Sequence, residues 1–195
     1  MASQTNTLTE GPLAKQIFLV SLPLALSNLL VARFYGARHP KDVEKTVHSA
    51  AIISAVAGVV LLLIGLLGSP AMLRLLNTKE DLLPGAILYL RVYFLGMPAL
   101  ALYNFGNAVF SAIGETKKPL YILSFAGVLN ILLNLFFVIV CNLDVAGVAL
   151  ASAISQCFSA FLILRALTRV QDCYALDPHK LQLDPVQAKS ILAPV

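Results

Sequence analysis

The chain has 195 residues, 58% hydrophobic and only 12% charged, about half the charge fraction of a soluble globular domain. That composition excludes a soluble fold and leaves an all-α polytopic membrane protein. The net charge of +4 requires no nucleic acid, because basic residues gather in cytoplasmic loops as a topology signal. Three cysteines without paired spacing argue against a disulfide framework or a zinc site.

Met1–Gly11 is polar and lacks the basic start of a signal peptide. The first apolar run, Ile17–Ala32, is interrupted by Pro23 and, at about 24 Å as a helix, falls short of a full crossing. A basic loop follows with Arg33, Arg38, Lys41 and Lys45, partly offset by Asp42 and Glu44; His39 and His48 flank it and read as interfacial. Val47–Gly68 is the next span, ended by Ser69-Pro70, and Ala71–Arg91 reads as interfacial helix and loop. With Trp absent, Tyr35, Tyr89, Tyr93, Tyr103 and Tyr121 are expected to supply an aromatic belt near span ends.

Two apolar runs, Val92–Ile113 and Leu120–Cys141, come next, each 22 residues long, about 33 Å as helices and enough to cross the bilayer core. The turn Gly114-Glu115-Thr116-Lys117-Lys118-Pro119 joins them, with Gly114 free to leave one helix and Pro119 able to open the next. Pro98, beside Gly96, predicts a kink within the first run. A short loop at Asn142–Asp144 leads to the last span, Val145–Leu164, and the tail Ala166–Val195 carries Pro178, Pro185 and Pro194, which break any long helix. The expected architecture is four transmembrane helices plus one short N-terminal hydrophobic helix.

If all five runs cross, Lys15, Arg74, Lys79 and Arg91 fall on one side, and the other ten lysines and arginines fall on the side of Lys117 and Lys118. The bias places that turn and the C-terminal tail in the cytoplasm. It also puts the N-terminus outside, although the leader supplies no reason for that.

No Asp, Glu, Lys or Arg lies deep inside the last four spans, which argues against an autonomous ion-coupled cycle. Amides and hydroxyls remain. Asn104 and Asn107 lie on one helix; Asn130 and Asn134, four apart, share a face of the next; Ser152, Ser155, Gln156 and Ser159 line the last span. They could form a polar cavity for a cation or ligand, or serve as interhelical hydrogen bonds. Gly147, Ala151, Ser155 and Ser159 form a small-residue stripe suited to close packing.

The order and spacing of several segments resemble the multidrug and toxic compound extrusion (MATE) family of cation-coupled antiporters. These are Glu10-Gly11-Pro12-Leu13 with Leu22-Pro23, Val31–Arg38, Tyr89-Leu90-Arg91-Val92 with Gly96-Met97-Pro98, Gly114–Pro119, Val128–Ile131 and Gly147–Ser152. The resemblance implies a partial six-helix lobe over residues 1–170. Residues 171–195 would be a cytoplasmic inter-lobe linker and the start of a missing second lobe. It also implies an internal deletion near Leu30-Val31, because the first-helix and second-helix motifs nearly touch; losing one crossing would explain the short first run and the misplaced N-terminus.

The family's first-helix aspartate has no counterpart. Asn130, Asn134 (Asp in many members) and Ser152 match its cation-site positions, and Asn104 and Asn107 are further cavity candidates. The activity that the resemblance implies is efflux of drugs or small organic cations by Na+ or H+ antiport at the plasma (inner) membrane, with this chain inactive alone, and no enzyme. A non-transporting lobe or assembly partner is the alternative, and a lipid-linked oligosaccharide flippase a more distant one.

Overall fold

A computed structural model describes residues 29–177 and 182–192. The leader motifs and most of the first apolar run lie outside the described residues. Residues 29–36 are helical. After it come α1 (Pro40–Leu75), α2 (Leu83–Leu95), α3 (Met97–Ala112), α4 (Lys117–Leu135, continued by a π-helical turn over Phe136–Val140), α5 (Asp144–Thr168) and α6 (Pro185–Leu192). The described residues contain no strand. Among the described residues three helices are long and apolar enough to cross a membrane: α1, α4 with its π turn, and α5. The pair α2 and α3, bent by 45° at Gly96, adds a fourth if the two cross as one broken span.

The longest element is α1, whose 36 residues measure about 54 Å, well beyond a hydrocarbon core of roughly 30 Å. It starts earlier and ends later than the apolar run alone suggests. Pro40 occupies the helix start, where its missing N–H is no loss. Asp42 in the first turn and Arg74 in the last complement the helix dipole. Ser69-Pro70 does not end the helix: it runs on to Leu75, and the Ser69 hydroxyl bonds back to the Gly65 carbonyl, so the local backbone tolerates the proline. The expected interfacial stretch Ala71–Arg91 is likewise divided between the end of α1 and the start of α2, and Arg91 sits exposed within α2 rather than at a span entry.

Three helix ends use one device. His39 N–H reaches Phe34 O while Arg38 N–H reaches Tyr35 O; Thr78 and Asn77 pair likewise with Leu73 and Arg74, and Glu115 and Gly114 with Phe110 and Ser111. This is the Schellman pattern, which places one residue in the left-handed region. Gly114 (φ 83°) fills that position without strain; Asn77 (φ 52°) and Arg38 (φ 58°) carry side chains there, at a cost of about 1–2 kcal/mol that Asn reduces by local hydrogen bonding. Pro119 does not open α4, which begins at Lys117, but stays within its first turn.

The core lies where α3 meets α1 and α5. Phe105, Phe110, Ile163 and Leu167 are fully buried there, with Val31, Val43 and Val47. Close approach depends on absent side chains. A Cβ at Gly58 would lie 2.7 Å from the Pro98 Cα, and one at Gly106 would meet Ile163. The small-residue stripe on α5 is buried throughout. By contrast, only 6% of the most apolar window of α4 is buried, against 44% in α5, so α4 is a peripheral helix held chiefly along its seam with α5.

The tail does not hang free. Tyr174 and Leu176 are buried in the core cluster with Ile191 of α6, and Leu176 N–H donates to Leu167 O at 3.3 Å. His48, expected at the interface, is instead buried inside α1; its Nδ1 pairs with Glu44 O at 2.7 Å and its Nε2 accepts Asp177 N–H at 3.2 Å. Lys45 bridges Asp184 at 3.1 Å, and Asp184 N–H donates to the Ser49 hydroxyl at 3.1 Å. Six consecutive residues of α1, Thr46 to Ala51, are buried. That is more than a full helical turn, so the tail covers a face of α1 that the other helices leave open. Pro185 opens α6 instead of breaking it. Tyr103 also departs from the expected belt: it is buried, and its hydroxyl donates to Pro119 O at 3.1 Å.

Candidate functional site

Asn130 and Asn134, separated by one helical turn, project from α4 along its seam with α5. The short loop Cys141–Leu143 forces α4 and α5 to run antiparallel, which brings the third turn of α5 beside Asn130. The Asn134 amide donates to Asn130 Oδ1 at 3.0 Å. The Asn130 amide donates to Ser152 Oγ at 3.4 Å, and the Ser152 hydroxyl donates to Val148 O at 3.1 Å. Three of the residues singled out in the sequence therefore meet in one relay.

The relay is polar in one direction. Each amide and the hydroxyl donates to the next acceptor, which leaves Asn134 Oδ1 at its head, buried and without a hydrogen-bond partner among the described residues. A buried amide oxygen left unpaired costs about 1–3 kcal/mol, so this position favours a donor or cation. Asn130 Oδ1 and Ser152 Oγ lie next in line, and three neutral oxygens of this kind suit a hard monovalent cation. Among the described residues no cluster of three His, Cys, Asp or Glu could hold a metal.

Asn104 and Asn107 stay apart from this relay. Asn107 Oδ1 accepts a long 3.5 Å contact from Ser111, Asn104 is half-buried on α3, and among the described residues no hydrogen bond joins either to the relay. Pro98 stands two residues after the 45° break, in the first turn of α3. The break point itself is Gly96, which is buried. Glu115 and Lys118 of the Gly114–Pro119 turn pair with each other at 2.9 Å, and Lys118 Nζ lies 5.5 Å from the Phe110 ring centroid. Ser155 and Ser159 bond to carbonyls of their own helix, so they serve helix packing.

Sequence reasoning placed Gln156 among the polar residues of the last span but not among the residues matched to a site. Its Oε1 is, among the described residues, a second buried acceptor without a partner, one turn beyond Ser152 and lodged against Gly96 at the break. A signal existed in the i, i+4 spacing of Ser152 and Gln156, but the partner across the seam was a glycine, which offers no side chain to suggest the contact.

Fold and seam together define a multi-pass α-helical membrane protein with an uncharged polar relay between two spans. The MatE family model matches residues 15–136, and the chain belongs to that family. The Bacillus subtilis protein named probable multidrug resistance protein YpnP is 41% identical over 88 residues, covering 45% of this chain and 20% of the relative. Another B. subtilis protein, probable multidrug resistance protein YoeA, is 29% identical over 162 residues, covering 81% of this chain and 34% of the relative. Protein DETOXIFICATION 43 of Arabidopsis thaliana is 31% identical over 122 residues, 62% of this chain and 23% of the relative. A crystal structure of MATE in the bent conformation superposes with a TM-score of 0.82 at 23% identity, covering 93% of this chain and 41% of that one. The chain thus spans about a third or less of the curated relatives it matches.

Proposed function

We propose that this chain is part of the membrane-transport machinery of a MATE-type efflux system, in which drugs or small organic cations are exported against Na+ or H+. Residues 1–170 form most of one lobe, and residues 171–195 lead toward a second. The lobe sits in the plasma membrane with the Lys117-Lys118 turn and the tail on the cytoplasmic side, which ten basic residues against four support. The names of the relatives support export of drugs as the activity of the whole transporter.

The observation that carries the site assignment is the relay ending on the unpaired Asn134 Oδ1. Asn130, Asn134 and Ser152 form a weak Na+ site of neutral oxygens. Without a carboxylate, its occupancy does not follow pH. Asn104 and Asn107, apart from the relay on α3, are further candidates for contact with substrate, and Pro98 with Gly96 forms the hinge of the bent span.

These 195 residues do not perform coupled efflux by themselves, because the matched positions Asn130, Asn134 and Ser152 carry no carboxylate. Expressed in a drug-sensitive host, it is expected to leave cationic-dye accumulation unchanged. Joining these residues in one reading frame to the remaining helices of a full-length relative should restore export. Sodium- or pH-dependent dye efflux by the 195-residue chain would overturn the inactive-alone reading.

A further inference from the structure

A cleft of about 390 Å³ opens where the helical residues 29–36 turn into α1. Its walls are Phe34, Tyr35 and Val43, and its polar rim is Arg38 and His39, with Cys173 of the tail on the far side. Tyr35 meets Tyr174 edge-on at 6.1 Å, Tyr174 meets Phe110 at 6.3 Å, and Lys118 lies over Phe110. Exposed Tyr35 and the exposed basic residues Arg33, Arg38 and Lys41 gather at this end of the bundle, the composition of a membrane–water interface. The cleft therefore lies at headgroup depth, apolar within and basic at the mouth.

Arg38 stands out on two grounds. It occupies the left-handed position of a Schellman turn, where glycine would cost nothing; a strained cationic residue kept beside an open cleft points to a role for its charge. It also makes no ion pair among the described residues, whereas nearby Lys45 and Lys118 are paired with Asp184 and Glu115. Acidic groups do approach the mouth: Asp42 lies 3.7 Å from His39 Nδ1, and Asp172 Oδ1 accepts Cys173 N–H at 2.7 Å. They engage His39 and the tail backbone and leave the guanidinium open.

We propose that this cleft binds the headgroup of an anionic phospholipid, with Arg38 holding the phosphate in a forked contact and an acyl chain lying along Phe34 and Tyr35. The site rests on the multi-pass membrane reading and is independent of transport. A lipid seated there would join the start of α1 to the tail, because Cys173 closes the opposite wall.

Cys173 reports occupancy, and Cys141, exposed beyond the other end of α4, is an internal reference for surface-potential effects. The full chain is placed in phosphatidylcholine vesicles with or without phosphatidylglycerol, and N-ethylmaleimide labelling of both thiols is followed by mass spectrometry. Phosphatidylglycerol is expected to slow Cys173 relative to Cys141 about fivefold, the scale of one basic contact with an anionic leaflet. Lys117→Gln should retain this protection. Arg38→Gln and Arg38→Gly should both lose it; the glycine variant relieves backbone strain, so its loss cannot come from misfolding. Equal labelling in the two lipids, protection surviving in both Arg38 variants, or equal loss in Lys117→Gln would overturn the site. Protection by inorganic phosphate in pure phosphatidylcholine would identify a free-anion site and overturn the lipid assignment.

Discussion

The side-chain carbonyl of Gln156 on α5 occupies the space that a Cβ on Gly96 would need. The break in the bent span and the orphaned amide are thus one feature seen from two helices. Gly96→Ala is expected to destabilise the protein by about 1–3 kcal/mol through overpacking. Gln156→Ala should recover part of that loss, because the obstructing atoms end a flexible side chain. Thermal unfolding in detergent across the double-mutant cycle measures the coupling; strict additivity would show that the two residues do not share the space.

Gly58→Ala should behave differently. Its Cβ would meet the Pro98 Cα at 2.7 Å, and backbone cannot swing aside. No side-chain truncation on α3 should rescue it, and its cost is expected to exceed that of Gly96→Ala. Gly127, with open space around its Cβ position, is the control: alanine there should be neutral or stabilise by up to about 1 kcal/mol through helix propensity.

These contacts show what was legible in the sequence. Apolar runs and the basic turn revealed the spans because hydrophobicity along one helix is a local property. The i, i+4 spacing of Asn130 and Asn134 revealed a shared face for the same reason, and the family resemblance picked Ser152 out of the polar residues of the last span. Span ends were less legible: polar residues after an apolar run do not stop a helix, so α1 extends through Ser69-Pro70. Most hidden was the tail. Nothing local in His48, Ser49 or Lys45 announces Asp177 and Asp184, over 120 residues away, and burial of a histidine follows only from tertiary contact.

The relay predicts a gain of function on adding a carboxylate. Asn134→Asp places a charge at the head of the Asn130–Ser152 chain, where sodium would neutralise it. Sodium is expected to stabilise this variant at pH 8 and much less at pH 5, where the aspartate is protonated. Each tenfold gain in affinity is about 1.4 kcal/mol of binding free energy. The parent chain should show a small sodium effect that does not change between those pH values. Sodium shifts measured by thermal unfolding decide it, and a pH-independent response in Asn134→Asp would overturn the assignment.

Docking of the tail depends on His48, which holds Glu44 O and Asp177 N–H at once. His48→Leu keeps bulk but removes both contacts, leaving buried backbone groups without that partner at about 1–3 kcal/mol. Hydrogen exchange at residues 173–177 should accelerate while α3 and α5 remain protected. Uniform acceleration through all helices would mean that His48 supports the whole fold and not the tail alone.

Cys173 carries the pH dependence of that same segment. Burial pushes its thiol above the ordinary range, and the hydrogen bond and charge of Asp172 push in the same direction. The thiolate is the reactive form, so alkylation in zwitterionic lipid should require a higher pH than free cysteine does. Asp172→Asn should lower that midpoint only partway, because burial is the larger cause. Since the folded-state value lies above the unfolded one, the thiol's contribution to tail docking is complete below the unfolded value. It is lost as pH rises through the folded one. Rate–pH profiles of Cys173 in both proteins test this, and a midpoint that falls fully to that of free cysteine in Asp172→Asn would assign the shift to the carboxylate instead.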